Sequence, residues 1–428
     1  MNIKKEVYAG TKWTTLSTIV LSITAILKIS ILTRYLEKSE FGLMALVTFV
    51  MGFMTLFNDM GLKVAILHKQ EITKEEYASL YWFNMLISIL MFVLLLLVTP
   101  LVSSFYSQPL LKSLIPLIGV NLIISGIGSH FRFIEMKHLK FKAISVIDII
   151  STVIAFGVAI CLAVYDFGVY SLVYSLIVQF LISNISLLII GIKKYGLKLR
   201  YKFNETKPFL GIGLYQVGAQ TLNYFNRDLD ILIIGKFFSA DILGGYSLAR
   251  ELVRRPIGFI LPIVNKVGAP TLSKFNKDTI GLKKYYLKMT NLLASFVIPM
   301  YLVIALFSYP LVYILYGKEF LGITFIVQIL CVNMIFRVVG GNVGNLIIAS
   351  GRTDLDLKWN ALTLLIIPIF VLIGAYFNIE IVAIMITLSS IALFIPSYYY
   401  LIKRIINATL KEYVYAFFKV DVKQFLKL

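Results

Sequence analysis

Long apolar runs of roughly twenty residues, parted by short clusters of charge, repeat from one end of this chain to the other. A helix needs about 20 apolar residues to cross the hydrocarbon of a bilayer, and runs of this length are far too long for strands. Read between the charged breaks, the pattern predicts twelve helices. They cover 13–33, 43–65, 80–101, 114–133, 143–165, 169–192, 209–235, 243–267, 289–313, 320–349, 358–377 and 380–402. The expected fold class is an all-α polytopic membrane protein.

Composition agrees. The chain is 59% hydrophobic and 15% charged, with a mean hydropathy of +0.86, whereas a soluble domain carries about 25% charged residues. The net charge of +19 would fit a nucleic-acid binder only if the basic residues gathered on a soluble face, and no such domain exists. They gather instead by loop. Of the 41 Lys and Arg, 30 fall in the N-terminal arm, in alternate loops with the span ends that border them, and in the tail from 403. The opposite loops hold five, Arg34, Lys38, Lys112, Lys236 and Lys318, and six lie deeper inside the spans. The positive-inside rule then places both termini in the cytoplasm, and the charge also suits an anionic leaflet.

Little points to metal or redox chemistry. Cys161 and Cys331 lie in apolar runs without pairing or ligand spacing and read as small apolar residues. The three histidines lack metal spacing, so neither a metal nor a cofactor is expected. The first apolar segment has spanning length and no small-x-small exit site, which argues against a cleaved leader.

The two halves of the chain resemble each other. "ILTRYLEKSEFGLMAL" (31–46) aligns with "IIGKFFSADILGGYSL" (233–248) at an offset of 202, which sets Arg34 on Lys236 and Gly42 on Gly244. "LVSSFYSQPL" (101–110) lies over "LVYILYGKEF" (311–320), and "GVNLI" (119–123) over "CVNMI" (331–335). The offset crosses six helices, an even number, so both copies insert the same way round. Two pseudo-symmetric six-helix bundles around a central cavity are expected. The expected domains are a bundle over 1–192, a basic cytoplasmic linker over 193–208, a second bundle over 209–402 and a basic cytoplasmic tail over 403–428.

Polar residues inside the spans fall in stripes. Gln216, Gln220, Asn223, Arg227 and Asp230 share one face of the seventh helix, and Ser247, Arg250, Arg254 and Gly258 one face of the eighth. Thr14, Ser17, Thr24 and Lys28 mark the first helix, and Thr48, Gly52, Thr55 and Asp59 the second. Asn121, Ser125, Gly128 and Arg132 mark the fourth, and Asn333, Arg337, Gly340 and Gly344 the tenth. Uncharged members fit ordinary hydrogen bonding between membrane helices. Charged members are costly in a bilayer and mark a watery cavity. Lys28, Arg227, Arg250, Arg254 and Arg337 would make that cavity cationic, and Arg offers a fork of donors matched to phosphate oxygens. Asp59, Asp148, Asp228, Asp230 and Glu251 are candidates for charge partners or for coupling to an ion. The 202-residue offset sets Asp230 on Lys28, which suggests an ion pair between them. Glu251 is expected to partner the neighbouring arginines, and His130 carries little functional weight. Pro256, Pro262, Gly235, Gly244, Gly245 and the "GGNVGN" run (340–345) are places where helices would soften.

The "RYLEKSEFGLMAL" turn, the "DLDILIIGKFFSADILGGYSLARELVRRP" block and the "GLKVAILHKQEITKEEYASLYWFN" segment (61–84) resemble the polysaccharide transporter branch of the multidrug/oligosaccharidyl-lipid/polysaccharide superfamily. The resemblance extends over nearly the whole chain and is most specific in the second of these blocks. It implies a Wzx-type flippase of undecaprenyl-pyrophosphate-linked oligosaccharide units in a bacterial inner membrane, alternating between inward-facing and outward-facing states. It carries the family's cationic cavity onto Lys28, Arg227, Arg250 and Arg254. It also implies membrane lipids as surroundings and polysaccharide polymerase machinery as a candidate partner, with no nucleic acid.

Two other readings stand beside it. A multidrug or other lipid exporter of the same superfamily would carry an acidic or aromatic cavity for organic cations. A membrane polymerase or glycosyltransferase would need catalytic residues on a sizeable outer loop, and every outward loop here is short. No catalytic residue is expected. No Walker-type GxxxxGK[ST] loop is present in the sequence either, so ATP is not the expected energy source.

Overall fold

The structure is a computed structural model that describes residues 3–58, 66, 69, 72–276 and 278–421. The first six helices are α1 (Ile3–Leu32), α2 (Lys38–Asn58), α3 (Lys74–Tyr106), α4 (Leu111–Lys137), α5 (Phe141–Val164) and α6 (Val169–Tyr195). After the linker come α7 (Phe203–Phe237), α8 (Ala240–Ser273), α9 (Thr279–Leu306) and α10 (Ser308–Tyr316). A 3₁₀ turn, Lys318–Ile323, leads into α11 (Thr324–Gly341) and α12 (Val343–Ser350), followed by α13 (Thr353–Ala375), α14 (Ile379–Ala392) and α15 (Leu410–Phe418).

Ten helical segments among the described residues are long and apolar enough to cross a membrane. The helices α7 and α8, of 35 and 34 residues, have the length and carry the charged block. Together they make the expected all-α polytopic protein, with six membrane helices before the linker and six after it. Apolar side chains face outward along these helices, as Leu86, Leu90, Leu97 and Leu101 do on α3. In water so much exposed apolar surface would drive aggregation, whereas acyl chains accept it.

Local chemistry sets the ends. Thr73 and Glu76 form a capping box at the start of α3, and Asp278 caps α9 through the backbone N–H groups of Ile280 and Gly281. Pro100, Pro116, Pro299 and Pro368 sit inside membrane helices, where neighbouring helices satisfy the freed carbonyls. The "GGNVGN" run does break its span. The helix stops at Gly341 and restarts at Val343, and the Asn342 amide donates to Thr290 Oγ1 at 3.0 Å. Around Pro256 the helix α8 continues unbroken.

Contacts divide the chain into two compact units, one of residues 1–224 and 239–244 and the other of residues 225–238 and 245–428. In the N-terminal unit α3 packs on α4, α4 on α6, α5 on α6, and α1 on α5. Ile66, Leu80, Phe83, Ile87, Phe133 and Phe209 form one apolar core there, so the linker and the first half of α7 belong to this unit. The linker is also tied down by polar contacts. Lys194 and Tyr195 bind the fully buried Glu135, Lys198 pairs with Glu75, and Trp82 donates to the Lys198 carbonyl. In the C-terminal unit α13 packs on α14, α9 on α11, and α11 on α14, while α15 lies against α9. Asn121 and Asn333 are buried, and the Asn333 amide donates to Ser390 Oγ at 2.8 Å. Of these two, Asn333 ties α11 to α14 as interhelical glue.

Candidate functional site

The charged block of the sequence forms a tight cluster inside the C-terminal unit. Asp228 lies nine residues before the end of α7, and Arg250 ten residues after the start of α8. A short connection turns the chain back between the two helices, so these residues come level. At 1.5 Å per residue they sit roughly 15 Å from that turn, deep within the helices.

Asp228 is the hub. Its Oδ1 accepts from Arg250 Nη2 at 2.6 Å and from Arg254 Nη1 at 3.1 Å, while its Oδ2 accepts from Arg227 Nε at 2.7 Å. Arg250 also donates to the Arg227 carbonyl at 2.6 Å and pairs through Nε with Asp230 Oδ2 at 3.0 Å. Tyr246, one turn before Arg250 and 1% exposed, donates its hydroxyl to the same Asp230 oxygen at 2.7 Å. Arg337 of α11 lies within electrostatic reach of Arg254, Arg250, Asp230 and Asp228 and remains exposed.

Charge then decides what the cluster can do. Four guanidiniums, Arg227, Arg250, Arg254 and Arg337, meet two carboxylates, Asp228 and Asp230. Among the described residues the excess is two positive charges at bilayer depth, where an uncompensated charge costs several kcal/mol. Arg250, at 12% exposure, is enclosed by its partners, whereas Arg227 is 52% and Arg254 25% exposed. The more open guanidiniums, Arg227 and Arg254, are the ones that an anion with two charged oxygens reaches.

The other expected site residues fall out differently. Lys28 lies in the N-terminal unit and donates to Ser175 Oγ at 2.6 Å. Asp230, expected to pair with Lys28, is held by Arg250 and Tyr246, because the α7–α8 turn delivers those two donors to it. Glu251 pairs with Arg255 at 3.1 Å. Its i,i+4 spacing to Arg255 matches the helix repeat better than its i,i+3 spacing to Arg254. Of the neighbouring arginines Glu251 therefore takes Arg255, and Arg254 takes Asp228. Asp148 forms a two-pronged pair with Arg132, at 3.0 and 2.6 Å, in the N-terminal unit. Asp59 lies outside the described residues. His130 packs edge-on against Tyr77, Tyr81 and Phe131 in the protein interior. Among the described residues no group of His, Cys, Asp or Glu could hold a metal ion.

Sequence reasoning missed Tyr246, Ser175 and the buried Glu135. Tyr246 had a signal, since it sits four residues before Arg250 on the same face of α8.

Long apolar helices in two packed units, with a cationic cluster deep in the helices of one of them, define a polytopic membrane protein. The chain belongs to the polysaccharide biosynthesis protein family, whose model matches residues 31–324. It is 28% identical to the teichuronic acid biosynthesis protein TuaB of Bacillus subtilis, over 85% of this chain and 76% of that one. It is 25% identical to the lipopolysaccharide biosynthesis protein WzxC of Escherichia coli, over 97% of this chain and 84% of that one. Among solved structures it shares the fold of an inward-facing MATE-family multidrug transporter of the MOP superfamily, with a TM-score of 0.75 and 14% identity. That match covers 90% of this chain and 94% of the other. The lipid II flippase MurJ, in an inward closed conformation, matches with a TM-score of 0.71 and 14% identity, over 98% of this chain and 92% of that one. The protein is thus a multi-pass membrane protein of the polysaccharide biosynthesis family, with the fold that these transporters share.

Proposed function

We propose that this protein moves undecaprenyl-pyrophosphate-linked oligosaccharide units from the inner to the outer leaflet of a bacterial cytoplasmic membrane by alternating access. The observation that carries the reading is the excess of two guanidinium charges over carboxylates around Asp228. A diphosphate diester carries one ionised oxygen on each phosphoryl group, so its headgroup neutralises that excess. An exporter of organic cations would meet the wrong sign of charge there. The names of two relatives, a teichuronic acid biosynthesis protein and a lipopolysaccharide biosynthesis protein, support a saccharide cargo.

In this reading Arg227, Arg254 and Arg337 grip the diphosphate, Arg250 holds the cluster in register, and Lys28 is a further cation that the anionic cargo meets in the N-terminal unit. No bond is made or broken, so the protein acts as a carrier and not as an enzyme. Both termini, the linker 193–208 and the tail 403–428 lie on the cytoplasmic side, near any polymerase machinery that takes up the product. The test is surface polysaccharide in a strain lacking the native copy, complemented with wild type or with Arg227→Ala/Arg254→Ala at equal abundance. The reading expects the wild type to restore polysaccharide and the variant to leave it near the level of the deletion. Full restoration by the variant would remove the arginines from the transport path.

A further inference from the structure

The N-terminal unit holds a cavity of mixed polar and apolar wall that the arginine cluster does not use. It has a volume of about 300 Å³ and lies between α4, α5 and α6, with Leu21 of α1 at its edge. Arg132 and Asp148 meet in it as a two-pronged pair, and Arg132 Nη2 also donates to Ser183 Oγ at 2.9 Å. Arg132 lies five residues before the end of α4 and Asp148 eight residues into α5. By the loop-charge topology, those are the ends nearest the cytoplasm.

A purely structural ion pair in a membrane bundle is packed shut. This one is not, because Arg132 and Asp148 keep 27% and 24% exposure beside open space. A cavity of that size with polar groups in its wall is filled by water or by a ligand. The chemistry of its wall narrows the ligand. Asp148 cancels Arg132, so neither an anion nor a cation gains net attraction. An apolar molecule would strip water from the polar groups without replacing the hydrogen bonds. Gln179 donates its amide to Thr152 and Asn184 donates to the Phe180 carbonyl, which turns both side-chain carbonyl oxygens into acceptors for a guest. The free edge of Arg132 and the hydroxyl of Ser125 supply donors. Phe180, 36% exposed, offers an apolar ring face.

Neutral hydroxyls that both donate and accept, carried on a ring with an apolar face, satisfy this wall. That is a saccharide. Ligand pockets run from roughly 300 to 1,000 Å³, so the cavity accommodates one sugar ring and not a whole repeat unit. We propose that the Arg132–Asp148 cavity is a subsite for a single pyranose ring of the cargo. This rests on the reading of the cargo as a saccharide, and it adds a place where sugar identity is sensed apart from the anionic headgroup.

The test uses full-length protein in lipid nanodiscs and saturation-transfer NMR with the methyl glycosides of glucose, galactose and N-acetylglucosamine. Geranyl diphosphate is titrated separately as a probe of the arginine cluster. At least one glycoside should receive saturation from the wild type. Gln179→Leu, which leaves the ion pair intact, and the charge-neutral double variant Arg132→Gln/Asp148→Asn should each weaken its binding about five- to tenfold, the loss expected for one or two hydrogen bonds. Both should bind geranyl diphosphate as the wild type does. Glycoside signal without geranyl diphosphate binding would sink the diphosphate reading and leave the sugar subsite standing. Geranyl diphosphate binding without any glycoside signal, or a glycoside signal undiminished in both variants, would overturn the subsite.

Discussion

Gly42 and Gly244 meet backbone to backbone in the N-terminal unit. A β-carbon on Gly42 would sit 1.9 Å from the carbonyl oxygen of Ala240, and one on Gly244 would sit 1.7 Å from the carbonyl oxygen of Lys38. The contact is reciprocal, and the offset of 202 that aligns the halves of the sequence carries Lys38 onto Ala240 and Gly42 onto Gly244. Equivalent positions of a duplicated sequence thus touch each other's counterparts, as they do around a local two-fold axis. Only glycine permits an approach this close. Gly42→Ala or Gly244→Ala should lower thermal stability by ~1–3 kcal/mol or more, the range for overpacking. Gly157→Ala, in open space on α5, should not lower it. Equal melting temperatures for the three variants, read by fluorescence-detected gel filtration, would show that the contact is not made.

Asp228 holds three arginines in the resting cluster, so neutralising it should have two opposed effects. Asp228→Asn leaves guanidiniums without a counter-charge in a medium where breaking a buried pair costs ~3–5 kcal/mol, and the free protein should melt earlier. An added anion should recover more of that loss than the wild type has to gain. The melting temperature with and without geranyl diphosphate measures both. An equal ligand-induced shift in the two proteins would mean that the anion does not compete with Asp228.

Glu135 is fully buried and receives Lys194 Nζ at 3.0 Å and the Tyr195 hydroxyl at 2.7 Å. It anchors the point where α6 becomes the linker. Glu135→Ala should release that segment while Lys194, 46% exposed, returns to water, so the cost is about 1–3 kcal/mol. Trypsin added to inside-out vesicles should then cut within 193–202 several times faster than in the wild type. Unchanged cutting would show that the other contacts of the linker suffice.

Outside the spans, Glu412 caps α15. Hydrogen bonds from Lys283 and from the Thr409 backbone N–H hold its carboxyl down to about 2. A carboxyl depressed in the folded state contributes in full above its ordinary value near 4.5 and loses that contribution as pH falls towards 2. Amide protection over Tyr413–Phe417 should therefore be flat between pH 5 and 8 and fall only below 4.5. Glu412→Gln should remove the acid-side fall, and the same acid sensitivity in that variant would exclude Glu412 as its cause.

The helices were legible because each needed one signal, a bilayer-length apolar run, but their polar first turns were not, so the helices expected from 80 and 289 begin at Lys74 and Thr279, after the caps Thr73 and Asp278. The start of α7 was harder. Lys207 and Pro208 look like a break, yet the helix begins at Phe203, where Glu205 is fixed by Arg200 and Ser79. Stripes placed Arg227, Arg250 and Arg254 in the right neighbourhood, since helical spacing alone puts them on common faces. Pairing was not legible. Asp228 meets Arg250 and Arg254 only through the register of α7 against α8, which the turn near Phe238 sets. The choice of Arg255 by Glu251 was readable in principle from i,i+4 spacing. The Lys28–Ser175 contact joins helices far apart in sequence, and the Arg132–Asp148 pair depends on the register of α4 against α5, where no local rule reaches.

The central claim is that the arginines around Asp228 carry the diphosphate of a lipid-linked saccharide across the bilayer. The most direct measurement is translocation of a fluorescent undecaprenyl-diphosphate-linked saccharide in proteoliposomes, without ATP, comparing wild type with Arg227→Ala/Arg254→Ala. Each lost charge-assisted hydrogen bond is worth ~1.5–3 kcal/mol, and every 1.4 kcal/mol is a factor of ten. The double variant should therefore slow flipping at least a hundredfold while remaining folded and inserted. Translocation by the folded double variant at the wild-type rate would contradict the account.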